Sequence, residues 1–275
     1  MGSHNAATIV NEANQAVSVI ADDGNLRLAV DAVTETNIAR GLYSNASIIR
    51  GFGERGSMAT TATGEDIWPG SATSIPIPAA AGEQMEVVST SPQDGVAGTG
   101  IITMHVDYID AAGDAQMREV TMNGTTPVVL PVSDVRFVQR IHAITVGSVG
   151  TAVGTITVYK QGSALTIYSM IAIGGNMALV PNRMVPAGKV CVVTHWHATE
   201  SKNKRCAFRL RSTDEDGILR PGVFLFKDAM YLVNSALSVP TAFLAPALSI
   251  IKISGWPDAS GSEASASWKG VLFDV

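Results

Sequence analysis

The stretch "THWHATE" puts His195, His197 and Glu200 close together, a few residues after Cys191. Histidines two apart on a strand point to one face, where they could offer two nitrogen ligands to zinc. The neighbours decide against that. The chain turns near "ESKNK", which predicts that 190–197 pairs with 204–211 as a hairpin. On the return strand Cys206, Phe208 and Leu210 form an apolar face, and Arg205, Arg209 and Arg211 a polar one. On the outgoing strand Val190, Val192 and Trp196 suit the apolar side, leaving His195 and His197 among arginines. Cations are poor company for a dication, so a surface or intersubunit contact is the better reading of the histidines. The same register separates Cys191 and Cys206 by on the order of 15 Å along the strand, more than a disulfide spans. Two free thiols are expected.

Other chemical motifs fare no better. "STDEDG" gathers Asp214, Glu215 and Asp216, hard oxygens that suit calcium, but the EF-hand spacing is absent and a solvated turn is the simpler reading. "GFGERG" has the glycines of a nucleotide loop, yet such a loop follows a strand, opens a helix and sits in a βαβ unit. Here it runs into Thr/Ala-rich chain. Asp107 and Asp110 flank a turn, where acids are ordinary. No nucleophile elbow or metalloprotease helix occurs. The reading is of a protein that is not an enzyme and needs no metal or cofactor.

One segment remains odd. "GFGERGSMATTATGEDIWPG", Gly51 to Gly70, shows no clear helical or strand period, yet holds Phe52 and Trp68 in a chain with only four Trp, five Tyr and seven Phe. They either plug a core or dock on something else. Phe52 is expected to anchor on a neighbouring subunit and Trp68 at the base of the first folded body. With them, Arg50, Arg55, His195, His197 and Arg209 make up the expected docking surface.

The elements that must position these residues are strands. The 275 residues are 46% hydrophobic and 16% charged, ample core material and too apolar for disorder. The net charge of −5 argues against nucleic acid or anionic lipid as partner. No apolar run approaches membrane-spanning length, and the first residues lack the pattern of a signal peptide. With two cysteines, the chain suits folding in a reducing cytoplasm.

"QAVSVIADDGNLRLAVDA" reads as strand, turn, strand, with Val17, Val19, Leu26, Leu28 and Val30 alternating. "TETNIARGLYSN", with Thr34 and Thr36 as possible caps, is a short helix or an extended arm. Pro76 and Pro78 mark an extended connector. From residue 83 the period is two: Ile102, Met104, Val106 and Tyr108 share a face, "AAGD" and Asn123-Gly124 turn the chain, and Gln161-Gly162 turns a hairpin. A Gly/Pro-rich interruption over 174–189 precedes a second strand series, in which "DAMYLVNSALS" could hold a helical turn. Short strands with turns every 8–12 residues signal a sandwich or barrel. The expected fold is all-β: an extended N-terminal arm and docking segment over 1–82, then two β-sandwiches of jelly-roll or immunoglobulin-like type over 83–178 and 179–275.

The order of motifs resembles a group of tailed-bacteriophage virion structural proteins. "IARGLYSNASIIRGFG" followed by "GEDIWPG" is similar to that group's "ARG…FG…acidic-Ile/Val-Trp" opening. "MEVVSTSPQDGVAGTGIITMHVDYID", "REVTMNGTTPVVL", "FVQRIHAITVGSVGTAVGTITVY" and "MVPAGKVCVV" resemble its later segments, so that most of 38–270 is covered. Glu54 stands where the group has asparagine. The resemblance implies a structural component of the phage particle, in the tail, neck or baseplate, assembled in the host cytoplasm and located in the virion. Its expected partners are other virion proteins of tail, neck or capsid, and copies of itself. Alternatives are a capsid decoration protein, a carbohydrate-binding tail-fibre module presenting Trp196, Trp256 or Trp268, and a hydrolase of surface polymer.

Overall fold

A computed structural model describes residues 9–10, 16–17, 19–22, 25–28 and 35–275. The chain divides into a leading unit, Met1–Ile48, and a main unit, Ile49–Val275. In the leading unit β1 (Ile9–Val10) pairs with β2 (Ala16–Val17), and β3 (Val19–Asp22) with β4 (Asn25–Leu28). The second pair supplies the two strands expected on either side of Asp-Asp-Gly-Asn, although Val17 belongs to the first pair; residues 23 and 24 lie outside the described residues. Val30 and Thr34 lie outside the described residues. α1 (Glu35–Ala39) resolves the choice between helix and arm in favour of a short helix.

The main unit is built from strands. β5 (Ala46–Met58) and β6 (Glu65–Asp66) come first. β7 (Met85–Ser89), β8 (Ile101–Asp110), β9 (Ala115–Thr121), β10 (Val128–Val129), β11 (Val135–Val146), β12 (Ile156–Lys160) and β13 (Ser163–Ile171) form a sandwich. One of its sheets runs β10-β7-β12-β13 and the other β11-β8-β9. Met104, Val106 and Tyr108 on β8 point as expected into a core shared with Met85, Val87, Ile141, Ile156 and Val158, but Ile102, expected on the same face, is only half-buried and Ile101 enters the core instead. The hairpins turn where glycine supplies a positive φ, at Gly113 between β8 and β9 and at Gly162 between β12 and β13.

β14 (Arg183–Met184), β15 (Lys189–Glu200), β16 (Cys206–Ser212), β17 (Asp214–Glu215), β18 (Ile218–Leu219), β19 (Leu225–Leu232), β20 (Ser235–Ala245), β21 (Ile250–Pro257) and β22 (Ser262–Asp274) complete the chain. They make a second sandwich, with sheets β14-β21-β16-β19 and β20-β15-β22-β5. β6 joins the first of these sheets on β21. The first sandwich is therefore an excursion between β6 and β14, and strands from both ends of the main unit build the second. The stretch expected to turn helically, "DAMYLVNSALS", is instead the end of β19, a turn at Asn234 (φ 43°) and the start of β20.

Two expectations need correction. The segment Gly51–Gly70 is not irregular at its start: β5 is a thirteen-residue edge strand. Its period of two is hidden because the inward positions are Ile49, Gly51, Gly53 and Arg55, an alternation of position without one of hydrophobicity. A Cβ on Gly51 would lie 2.0 Å from the Pro181 carbonyl oxygen, and one on Gly53 2.5 Å from the Ile67 carbonyl oxygen. Gly51 and Gly53 thus let neighbouring chain pass directly beneath the strand. The second correction concerns 190–197 and 204–211, which do not pair. β15 pairs with β20 and β22, and β16 with β19 and β21, so these consecutive strands lie in opposite sheets. Each sends its apolar side into one core, Trp196 and Ala198 from β15 facing Cys206, Phe208 and Leu210. A bulge between Val193 and His195 changes the parity, so that Cys191 and Val193, rather than Val190 and Val192, point inward.

Candidate functional site

With β15 and β16 in opposite sheets, the histidines and arginines face away from each other on opposite outer surfaces of the second sandwich. His195 and His197 stand opposite Lys269 and Ser267 of β22. The outward residues of β22 are Glu263, Ser265, Ser267 and Lys269. Short side chains at Ser265 and Ser267 leave a trough between β15 and β5. It is a cleft of about 370 Å³ lined by Arg50, Phe52, His195, His197, Ser238, Ser267 and Lys269. Two adjoining clefts of about 220 and 350 Å³ extend it past Glu54, Thr199 and Glu263. Phe52 is 37% exposed, and His195 Nδ1 is buried with no hydrogen-bond partner. Four of the seven expected docking residues, Arg50, Phe52, His195 and His197, therefore meet in one cleft, although they come from chain segments some 145 residues apart by number.

The other three lie elsewhere. Trp68 is 1% exposed in the first core and donates from Nε1 to the Ala72 carbonyl at 2.9 Å. Gly70 packs against its ring. The residue before it, Ile67, belongs to the second core, so two consecutive side chains enter two different cores. Arg55 is buried. Its Nη2 pairs with Glu65 at 2.9 Å, and its Nη1 donates to the carbonyls of Gly70 at 3.0 Å and Ala72 at 3.1 Å. The guanidinium thereby holds the irregular half of "GFGERGSMATTATGEDIWPG" in place. Arg209 sits on the far sheet against Phe226 and Trp256.

Sequence reasoning missed the buried carboxylates. Asp66 is buried and pairs with Lys252 Nζ at 2.9 Å, while the Ser254 hydroxyl donates to it at 2.8 Å. Burial holds the Lys252 ammonium below the ordinary lysine value, opposed by the charge of Asp66. Asp94 accepts from the Ser89 hydroxyl at 2.6 Å and from the backbone N–H of Ile101, Val153 and Gly154. Glu200 accepts from the backbone N–H of Lys202, Lys204 and Asn234 and from the Ser262 hydroxyl. Burial alone would raise the Glu200 pKa, but these donors outweigh it and hold the carboxyl below the usual glutamate value. Each of these acids is consumed by bonds that tie separate chain segments together. The only sequence signal for them is an acid beside glycines and serines, which is also what an exposed turn looks like.

Asp214 of "STDEDG" is likewise engaged, by Lys227 Nζ at 2.9 Å and by the Ser212 hydroxyl. Among the described residues no group of three His, Cys, Asp or Glu side chains is placed to hold a metal ion, and no helix is long and apolar enough to cross a membrane. Cys191 and Cys206 are free and buried. Burial pushes both thiols up to about 12. Trp196 and Trp268 are 1% and 2% exposed, which removes two of the three tryptophans that could have stacked on a sugar.

No family model matches the chain, and neither does any curated protein. Among solved structures it is similar to a chain of infectious bursal disease virus, Gx strain, at 10% identity over 84% of this chain and 73% of that one, with a TM-score of 0.24. A chain of the Gt strain shares 8% identity over 84% and 75%, with a TM-score of 0.16. A mutant VP2 protein of the same virus, from derived T=1 particles, shares 9% over 84% and 74%, at 0.14. At these TM-scores the likeness carries no argument about fold or role. The resemblance to tailed-phage virion proteins is not upheld: no family model or curated protein of that group matches the chain, and the solved structures found are of infectious bursal disease virus instead. The motifs behind it, such as Asn123-Gly124 and "VPAGK", are turn signals that unrelated β-proteins also need.

Proposed function

We propose that the chain is a non-enzymatic structural subunit of a virus particle, associated with the capsid, and that it docks on neighbouring subunits through the cleft between β15, β22 and β5. The observation that carries this reading is the convergence of Arg50, Phe52, His195 and His197 on one open surface. The cleft is a shallow groove along strands rather than an enclosed pocket with converging acid, base or nucleophile. Its polar floor and single exposed aromatic suit an extended polypeptide held by one anchor.

Among the described residues, the interior charge pairs Arg55–Glu65, Lys227–Asp214 and Lys252–Asp66 each link two different strands, as a scaffold requires. The β20 and β5 edges of the same sheet have no strand partner on their outer side among the described residues. Such edges invite pairing with another chain.

Phe52→Ala tests the reading. Stability of the isolated protein should change by no more than about 0.5 kcal/mol, because the side chain lies on an outer surface. Incorporation into purified particles, measured by quantitative immunoblotting, should fall severalfold. Incorporation at the wild-type level, or absence of the wild-type protein from purified particles, would end the proposal.

A further inference from the structure

The outer face of the β14-β21-β16-β19 sheet carries a different arrangement. The Arg209 guanidinium lies 4.4 Å from the centre of the Phe226 ring and 4.3 Å from that of Trp256. These two rings meet edge to face at 5.9 Å, making a corner that holds the guanidinium. Arg211, the next outward residue on β16, lies 5.7 Å from each of the same rings. Beyond the strand start, Arg205 stands 5.1 Å from the ring of Tyr231. Phe226 and Tyr231 are 56% and 62% exposed.

Aromatic contact engages the faces of a guanidinium and leaves its N–H donors to be satisfied elsewhere. Among the described residues no carboxylate lies within ion-pair distance of Arg205, Arg209 or Arg211. Arg211 donates to the Ser254 hydroxyl at 3.3 Å, while its Nε is buried without a partner. The nearby carboxylate of Asp66 is already paired with Lys252. A row of guanidinium groups lacking carboxylates thus sits on a chain whose net charge is −5. Beside the row, β19 pairs among the described residues only with β16, which leaves its outer edge open there.

We propose that this face seats an extended, carboxylate-bearing polypeptide segment of another subunit, which pairs along β19 and places its acids on Arg205, Arg209 and Arg211. The planar fork of arginine matches a carboxylate two bonds at a time, and strand addition supplies the main-chain bonds. Single-stranded nucleic acid is the weaker fit. It needs a broad positive field along its backbone, and the acidic remainder of this chain opposes one. The inference deepens the reading of the protein as an assembly subunit, but it concerns the opposite sheet from the cleft. It is measured on the isolated protein, so it stands or falls separately from particle incorporation.

The test is fluorescence anisotropy with the full chain and a labelled peptide of alternating Glu and Val. Comparators are a Lys/Val peptide and labelled oligo-dT. Saturable binding of the Glu/Val peptide is expected, weakened by added salt and by about tenfold in Arg209→Gln. Arg209→Lys, which keeps the charge and loses the fork, should also bind more weakly than wild type. Thermal melts accompany each variant. Arg205→Gln, at an exposed position, gives the same readout if Arg209→Gln disturbs the fold. No saturable binding of the Glu/Val peptide, unchanged binding in folded Arg→Gln variants, or a preference for oligo-dT would overturn the proposal.

Discussion

Glu200 shows what a single side chain contributes here. Its carboxylate takes three backbone N–H groups and one hydroxyl at the crossing from β15 to β16. Those donors favour the ionised form and hold its pKa below that of the unfolded chain. The stabilisation is therefore complete above the ordinary glutamate range and is lost as pH falls through the depressed folded value. Glu200→Gln should lower stability at neutral pH by about 1–3 kcal/mol, the cost of poorly satisfied buried donors. Melting curves from neutral to about pH 3 should show the gap to wild type closing on acidification. A gap that stays constant over that range would mean that the charge is not what the donors hold. Arg55 is the cationic counterpart: expected at a docking surface, it instead organises the turn from Glu65 to Ala72.

At the scale of elements, β5 separates what could be read from what could not. Strands from β7 to β13 were legible because their inward residues are apolar and their turns carry glycine, as at Gly113 and Gly162. β5 was not, because two of its inward positions are glycine and a third is a buried arginine. Pairing was the other blind spot. Periodicity assigned His197 and Arg209 to outward faces correctly. It could not say which sheet each strand joins, since partner choice depends on β19 to β22, far along the chain. Arg50, Phe52, His195 and His197 of the candidate cleft stood out in the sequence, but their meeting in one place did not, nor did Ser238, Ser267 and Lys269 beside them. The glycine reading has a direct check. Gly51→Ala should destabilise the fold by about 1–3 kcal/mol, since the added carbon overlaps the Pro181 carbonyl and cannot move without the backbone. Gly56→Ala, where nothing lies within 4 Å of the added carbon, should be near neutral. Denaturant midpoints of the two variants would separate a packing requirement from a general dislike of alanine in this strand.

For the whole molecule, both sandwiches and their shared connections form one main unit. The small core of Ile109, Phe137, Met184 and Ile250 joins residues of both, and Ile67 and Trp68 link the two large ones. Cys191 and Cys206 lie in the second core with thiols pushed up to about 12 by burial. Their reaction with a disulfide reagent at neutral pH should be slow in the native protein. Its rate should follow the unfolding curve measured by circular dichroism; fast labelling under native conditions would contradict the burial. The placement of the first sandwich between β6 and β14 has a consequence for the order in which the molecule is made. A ribosome delivers β5 some 200 residues before its partner β22, because residues 46–58 wait for 262–274. The first sandwich has all its own strands by residue 171 and can fold while the edge strand is still unpaired. Synthesis thus leaves an open strand edge exposed until residues 262–274 emerge, and a chain truncated before them would carry that edge permanently.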